Sequence, residues 1–201
     1  LPEVLERLAG AAVLSPDPLP KSEEIQPIYT ELLPHRVGYW RMSSFRPAKD
    51  WEALRNQLRL WKRSSVIGLV LDVRDFADIY NFEGAAAAAS LFVEPGTTLF
   101  SVQGLQIPQR VYKADGDKAN APQPIIVLTN PRTTGAAEAF AAALQESAGA
   151  IVVGRSTAGR SGLWEEIPLS TGRYLRMVVG RTTLADGTSL FGEPQVPDIP
   201  L

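Results

Sequence analysis

Residues 123–154 read QPIIVLTNPRTTGAAEAFAAALQESAGAIVVG, and this stretch decides the fold. It begins with a near-continuous apolar run, which is typical of a strand buried on both faces. A turn of small residues follows, then an alanine-rich segment long enough for a helix, and then a second apolar run, AIVVG. This order predicts two parallel strands joined by a helix that packs on the sheet.

The flanking sequence extends the same alternation. VIGLVLDV, residues 66–73, predicts a third buried strand, and residues 163–192 read as strands joined by turns at Thr171-Gly172 and Asp186-Gly187. Residues 105–122 are polar and irregular and predict a surface loop. The sequence therefore predicts an α/β fold: a layered core with a mostly parallel sheet, plus a C-terminal strand and hairpin region. The other predicted elements are strands in RVGYWRMSSF and TTLFSVQG, a helix from about Pro47 to Lys62 with Trp51, Leu54, Leu58 and Trp61 on its buried face, and a helix in EGAAAAASLFV.

The N-terminal part differs in character from the rest of the chain. LPEVLERLAGAAVL has the apolar spacing of a helix, and the prolines of SPDPLPKS predict a stiff linker. The pattern changes at His35. We therefore expect a helical arm and proline-rich linker over residues 1–35 and one core domain over residues 36–201.

Composition excludes several functions. The net charge of −2 and the lack of a Lys/Arg-rich run argue against a nucleic-acid partner. The chain has no cysteine and a single histidine, His35, so we expect neither a metal site nor a cofactor held by such ligands. The longest apolar run is too short to predict a transmembrane segment.

The turn after the strand is where a hydrolase would present a nucleophile, but it carries a glycine and two alanines, Gly135, Ala136 and Ala137. The nearest hydroxyls are those of Thr133 and Thr134. A threonine can act as a nucleophile only when a base is placed beside it, and the sequence places none. A capping or turn role therefore fits Thr134 better.

Four segments follow one another along the chain: VGYWRMSSF, GLVLDVRDF, PIIVLTNPRTTGAAEAFAAALQESAGAIVVGRSTAGRSG and FGEPQVPDIPL. In this order they resemble the C-terminal processing peptidases, also called tail-specific proteases. The resemblance covers Arg36 to Leu201 and implies a ClpP/crotonase-like core and serine-type peptidase activity. The first 35 residues are too few for the PDZ domain that often precedes this core.

The same resemblance implies that the catalytic groups have been replaced. The family's serine nucleophile, in a Ser-Ala-Ser-Ala-Ser-Glu run, falls on Gly135, three residues before Glu138. The family's general-base lysine, in a Thr-Phe-Gly-Lys-Gly loop, falls on Arg160, and a guanidinium stays protonated at ordinary pH. The family's oxyanion glycine pair falls on Asp78 and Ile79. No lysine follows Lys118, so a slip of one residue in the comparison does not restore the base.

These replacements predict a pseudoenzyme that binds a peptide or ligand, or acts as a scaffold, in the old cleft. An active serine endopeptidase with unusual residues is the alternative, and a crotonase-type acyl-CoA enzyme is a third and weaker one. Resemblance to the family also predicts export to the periplasm or cell envelope. Any partner would be a peptide or protein tail.

The remaining expectations concern charges in this cleft, formed by residues 75–80, 133–138 and 157–161. Glu138 is predicted to stabilise the start of the helix rather than to act with Glu146 as an acid–base pair. Arg160 is predicted to form an ion pair with Asp78. The alternatives for Arg160 are a pair with Glu138 and an open niche for the carboxylate of a peptide tail.

Overall fold

The computed structural model of the protein describes residues 28–45, 49–116, 119, 121–168 and 173–201. The predicted arm and linker up to residue 27, the predicted helix start at Pro47 and the predicted turn at Thr171-Gly172 lie outside these residues. The strands are β1 (Ile28–Leu33), β2 (Val37–Met42), β3 (Gly68–Asp72), β4 (Ala77–Asp78), β5 (Thr98–Gln103), β6 (Arg110–Lys113), β7 (Ile125–Thr129), β8 (Thr134–Gly135), β9 (Ile151–Gly154), β10 (Gly162–Pro168), β11 (Tyr174–Leu184) and β12 (Ile199–Pro200). The helices are α1 (Lys49–Arg63), α2 (Phe82–Ala89) and α3 (Ala136–Ala148), and a 3-10 turn covers Pro34–Arg36.

The main sheet has the strand order β1-β2-β3-β7-β9-β12. In this sheet β2, β3, β7, β9 and β12 run parallel to one another, and β1 pairs antiparallel with β2. The three apolar runs of the sequence form β3, β7 and β9, which are adjacent in the sheet, so the central prediction is confirmed. Alternate residues of these strands enter two hydrophobic clusters, as burial on both faces requires: Leu69, Leu71, Ile125, Val127 and Val152 in one, and Val70, Ile126, Leu128 and Val153 in the other.

The larger hydrophobic cluster, which includes Leu69 and Leu71, also includes the buried apolar side chains of the three helices. Trp51, Leu54, Leu58 and Trp61 of α1 are all buried, as their spacing predicts. Every residue from Ala136 to Leu144 in α3 is buried. The alanines of α2 and α3 let these two helices pack closely together, because a methyl group adds little width to a helix.

β6 and β1 are two of the strands that the sequence does not predict. β6 lies inside the region predicted as a loop; it pairs antiparallel with β5, and its Tyr112 ring packs on Phe100 with 4.9 Å between centroids. β1 lies before the predicted boundary at residue 35 and pairs with β2 over six residues, so the sheet begins before that boundary. Alternation in these short segments is too weak to distinguish an edge strand from a loop.

The C-terminal region forms a second sheet of order β10-β11-β5-β6, in which all pairs are antiparallel. The predicted strand and hairpin region is therefore present, and the turn at Asp186-Gly187 is confirmed by the bond from Gly187 N–H to the Leu184 carbonyl, 3.1 Å. β12, which the sequence does not predict, adds a parallel strand to β9. Among the helices of the described ranges, none has the length and apolar character needed to cross a membrane.

Candidate functional site

Three separate segments meet at the amino end of α3. β4 and β8 form a two-residue parallel pair that places Ala77 beside Thr134 and Asp78 beside Gly135. The loop after β9 joins them, because the Ala158 N–H donates to the Thr133 carbonyl at 3.0 Å. The structure thus brings together the segments 75–80, 133–138 and 157–161, where the sequence places the candidate site.

Gly135 has a backbone conformation that only glycine adopts readily, with φ 70° and ψ −126°. The backbone of Asp78 and Ile79 at the end of β4, called the facing turn below, fills the space in which a side chain would stand. A Cβ atom built on Gly135 would lie 2.8 Å from both the carbonyl carbon of Asp78 and the Cα of Ile79, and closer still to the Asp78 carbonyl oxygen. Any residue other than glycine therefore requires this turn to move.

Glu138 is the central polar group of the site and is 1% exposed. Its Oε1 accepts hydrogen bonds from Thr157 Oγ1 at 2.5 Å and from the Gly159 N–H at 2.6 Å. Its Oε2 accepts from the N–H groups of Gly135 at 3.0 Å and Arg160 at 2.9 Å. Burial raises the pKa of the Glu138 carboxyl, and these four donors oppose the rise. One carboxylate therefore ties the start of α3 to the 157–161 loop, so Glu138 stabilises the helix start and also fixes the loop.

The two threonine hydroxyls differ in their environment. Thr133 Oγ1 donates to the Val73 carbonyl at 2.8 Å and accepts from the Asn130 N–H, so it is fully used in the turn. Thr134 Oγ1 is buried and has no hydrogen-bond partner among the described residues. A hydroxyl without an acceptor for its proton is not activated as a nucleophile.

The expected ion pair between Asp78 and Arg160 is absent, since no hydrogen bond or ion pair joins them within the described parts of the chain. Asp78 Oδ1 instead accepts from the N–H groups of Tyr80 at 3.1 Å and Asn81 at 3.0 Å. The Arg160 backbone N–H donates a hydrogen bond to Glu138, and Arg160 itself is exposed. Asp78 therefore binds the backbone amides that precede α2 instead of the Arg160 guanidinium. Residue types alone do not reveal such a local hydrogen bond between a side chain and the backbone.

Sequence reasoning missed a second polar cluster, which holds the 73–78 turn in place. Asp75 Oδ1 accepts from Asn130 Nδ2 and from Arg132 Nε, each at 2.7 Å. The Asp75 N–H in turn donates to Asn130 Oδ1 at 3.1 Å. Burial acts to raise the pKa of the Asp75 carboxyl, but the bonds from Asn130 and Arg132 and the charges of Arg132 and Arg41 outweigh it, so the pKa is lowered. The sequence could have indicated this cluster, because polar residues follow each of two neighbouring parallel strands. They occur in LDVRD at the end of β3 and in LTNPR at the end of β7.

We expect Asp75→Asn to destabilise the protein by about 1 kcal/mol at neutral pH, because it weakens charge-assisted bonds that are partly exposed. The folded-state pKa lies below the ordinary value of 3.8, so the stabilisation is present above that value and is lost as pH falls through the folded pKa. Urea unfolding at pH 7 and at about pH 3 measures this. The difference in unfolding free energy between the wild-type protein and the variant should be smaller at the lower pH. An equal difference at both pH values would contradict a lowered pKa of Asp75.

Comparison with known proteins places these features in context. Residues 36–201 match the family model described as peptidase family S41. The chloroplastic C-terminal processing peptidase of Tetradesmus obliquus is 26% identical over 166 residues, which is 83% of this chain and 35% of that protein. The carboxy-terminal processing protease CtpA of Bacillus subtilis is 26% identical over 163 residues, 81% of this chain and 34% of the relative. The chain thus spans about a third of the length of these curated relatives.

Solved structures agree with the observed fold. The photosystem II D1 C-terminal processing protease superposes with a TM-score of 0.73 at 25% sequence identity, over 88% of this chain and 48% of that one. A putative peptidase from Parabacteroides merdae gives a TM-score of 0.73 at 19% identity, over 100% of this chain and 62% of the other, and shows the fold alone.

Proposed function

Because the chain belongs to peptidase family S41, we propose that it is a peptidase-like domain that does not hydrolyse peptide bonds and that acts as a peptide- or ligand-binding or scaffold module. One observation carries this proposal. At Gly135, the position of the family's nucleophile by resemblance, the backbone of Asp78 and Ile79 fills the space for a side chain. The position lacks a hydroxyl, and the packing around it leaves no room for a side chain.

The surroundings of Gly135 support the same proposal. Arg160, at the position of the family's lysine by resemblance, carries a guanidinium that cannot accept a proton at ordinary pH. Its backbone N–H donates to Glu138 Oε2 at 2.9 Å, which ties the 157–161 loop to the start of α3. Glu138 accepts four hydrogen bonds, so its carboxylate is committed to structure and has no lone pair directed at a substrate.

The second candidate is an active peptidase that uses Thr134. The observation in its favour is the buried Thr134 Oγ1 without a hydrogen-bond partner among the described residues. Against it, the sequence has no lysine after Lys118 and one histidine, His35, which lies in the turn between β1 and β2. Among the described residues, no base forms a hydrogen bond with Thr134 Oγ1 and so none is placed to take its proton.

We expect no cleavage of casein and no labelling by a fluorophosphonate probe, with the CtpA relative from Bacillus subtilis as the positive control. The reason is the missing general base, without which the hydroxyl remains a weak nucleophile. Thr134→Ala serves as the matched variant. Labelling or cleavage that is present in the wild-type protein and lost in Thr134→Ala would replace the proposal with the second candidate.

The same proposal includes an exported location, in the periplasm or cell envelope, and a peptide or protein tail as partner. Its support is the family membership and the names of the relatives, which include C-terminal processing proteases of bacteria and chloroplasts. Since the turn at Asp78 and Ile79 closes over Gly135, a peptide would have to bind around this turn rather than within the old nucleophile position.

A further inference from the structure

A pocket of about 420 Å³ lies at the carboxyl ends of β3, β7 and β9. This is the edge of a parallel sheet at which ligands commonly bind in open α/β folds. Its volume falls in the range of small-molecule sites. It is next to the candidate site but separate from Gly135 and Glu138, which do not line it. The pocket is lined by Leu128, Thr129, Asn130, Pro131, Val153, Gly154 and Leu201, together with the arginines Arg74, Arg132 and Arg155.

The three arginines differ in how far their charges are neutralised. Arg74 binds the fully buried Asp72, with Nε 2.9 Å from Oδ1 and Nη2 2.7 Å from Oδ2. Arg132 binds Asp75 through Nε and Nη2, with an Nη2 to Oδ1 distance of 2.6 Å. Two of the three guanidinium groups are therefore held in place by carboxylates.

Arg155 is different, because its guanidinium has no hydrogen bond or ion pair within the described ranges. Its backbone is nevertheless well fixed: the Arg155 N–H donates to the Thr129 carbonyl at 3.1 Å, and the Arg155 carbonyl accepts from Thr129 Oγ1 at 2.9 Å. Arg155 is exposed, and the pocket thus presents one guanidinium that no carboxylate of the described residues binds, on a backbone fixed by hydrogen bonds. Leu128, Val153 and Pro131 add an apolar lining next to it.

We propose that this arginine pocket binds a small organic monocarboxylate with a short aliphatic part. One uncompensated guanidinium balances one negative charge, and its planar fork matches the two oxygens of a carboxylate. The apolar lining takes up the aliphatic part, which inorganic phosphate lacks. The inference does not depend on whether the chain hydrolyses peptides.

Hexanoate is the probe that tests this, with 1-hexanol as the uncharged match and inorganic phosphate as the anion without an apolar part. Each is titrated into the protein while backbone amide shifts are recorded by NMR. We expect hexanoate to shift the amides of Asn130, Arg132 and Arg155 in a saturable way, with at least tenfold weaker effects from hexanol and phosphate.

Arg155→Gln should weaken hexanoate binding about tenfold or more, since a charge-assisted bidentate pair is lost. Arg63→Gln is the matched control, because Arg63 is an exposed arginine at the end of α1, before β3 begins and so near the opposite edge of the sheet. It should leave the affinity unchanged. Three results would overturn the proposal: no saturable shift with hexanoate, equal or tighter binding of phosphate, or unchanged affinity in Arg155→Gln.

Discussion

Gly135→Ser is expected to destabilise the protein by about 3–5 kcal/mol instead of restoring a nucleophile. Two effects combine. A serine must adopt φ 70° and ψ −126°, a conformation unfavourable for any residue with a Cβ atom. Its Cβ atom also meets the backbone of Asp78 and Ile79, which cannot rotate away as a flexible side chain could. Urea unfolding followed by circular dichroism measures the loss.

The other end of the same helix offers the control. Gly149 follows α3 with φ 63°, and nothing lies within 4 Å of a Cβ atom built there. Gly149→Ser should therefore cost only the conformational term, about 1–2 kcal/mol. The difference between the two variants reports the contact with the turn together with the less favourable backbone conformation at Gly135, whose ψ of −126° lies outside the left-handed helical region of Gly149. Equal losses in both variants would show that the turn yields to a side chain at Gly135 without cost.

The double variant Gly135→Ser with Arg160→Lys should remain without measurable activity on casein. It restores both members of the family's dyad by resemblance, but the facing turn still carries Asp78 and Ile79 where the family has glycines. Asp78 Oδ1 is engaged by the amides that precede α2, so this turn has a structural role of its own. Robust cleavage by the folded double variant would contradict this argument.

Glu138→Ala is expected to cost about 3–5 kcal/mol, the second large effect. The change leaves three backbone N–H groups and the Thr157 hydroxyl without an acceptor in a buried site. Unfolding free energy gives the size of the effect, and hydrogen exchange at the amides of Gly159 and Arg160 gives its location. Both amides should exchange faster in the variant.

Glu146→Ala is the matched control for this prediction, since Glu146 lies on the same helix and is exposed. A change within about 1 kcal/mol is expected there. If Glu138→Ala and Glu146→Ala unfolded at the same urea concentration, the four bonds of Glu138 would contribute nothing to holding the loop against α3.

The central elements were predictable because their patterns are strong. Three short, nearly continuous apolar runs separated by helical or turn segments favour strands buried on both faces, and they form β3, β7 and β9. β6 and β12 were missed because their segments, RVYK and IP, carry neither a continuous apolar run like that of β9 nor a clear alternation. Pairing with an existing sheet, not local propensity, makes them strands.

In the site, the positions could be predicted but the partners could not. The sequence places Asp78, Gly135, Glu138 and Arg160 in one region, yet it predicts an ion pair that does not form. Side-chain carboxylates bind whichever donors the backbone presents, and both Asp78 and Glu138 bind amides whose directions are set by local turns. The opposite charges of Asp78 and Arg160 do not indicate in which direction these backbone amides point.

The contact between Gly135 and the turn at Asp78 also bears on how this chain can change over generations. A mutation that introduced serine at Gly135 would meet the turn's backbone at once, whereas its catalytic benefit would need a lysine and a rearranged turn as well. The intermediate would be a less stable protein with no new activity, and selection would remove it. Under the proposed function, the close packing at this glycine would therefore make each single change towards a serine hydrolase disadvantageous until several occur together.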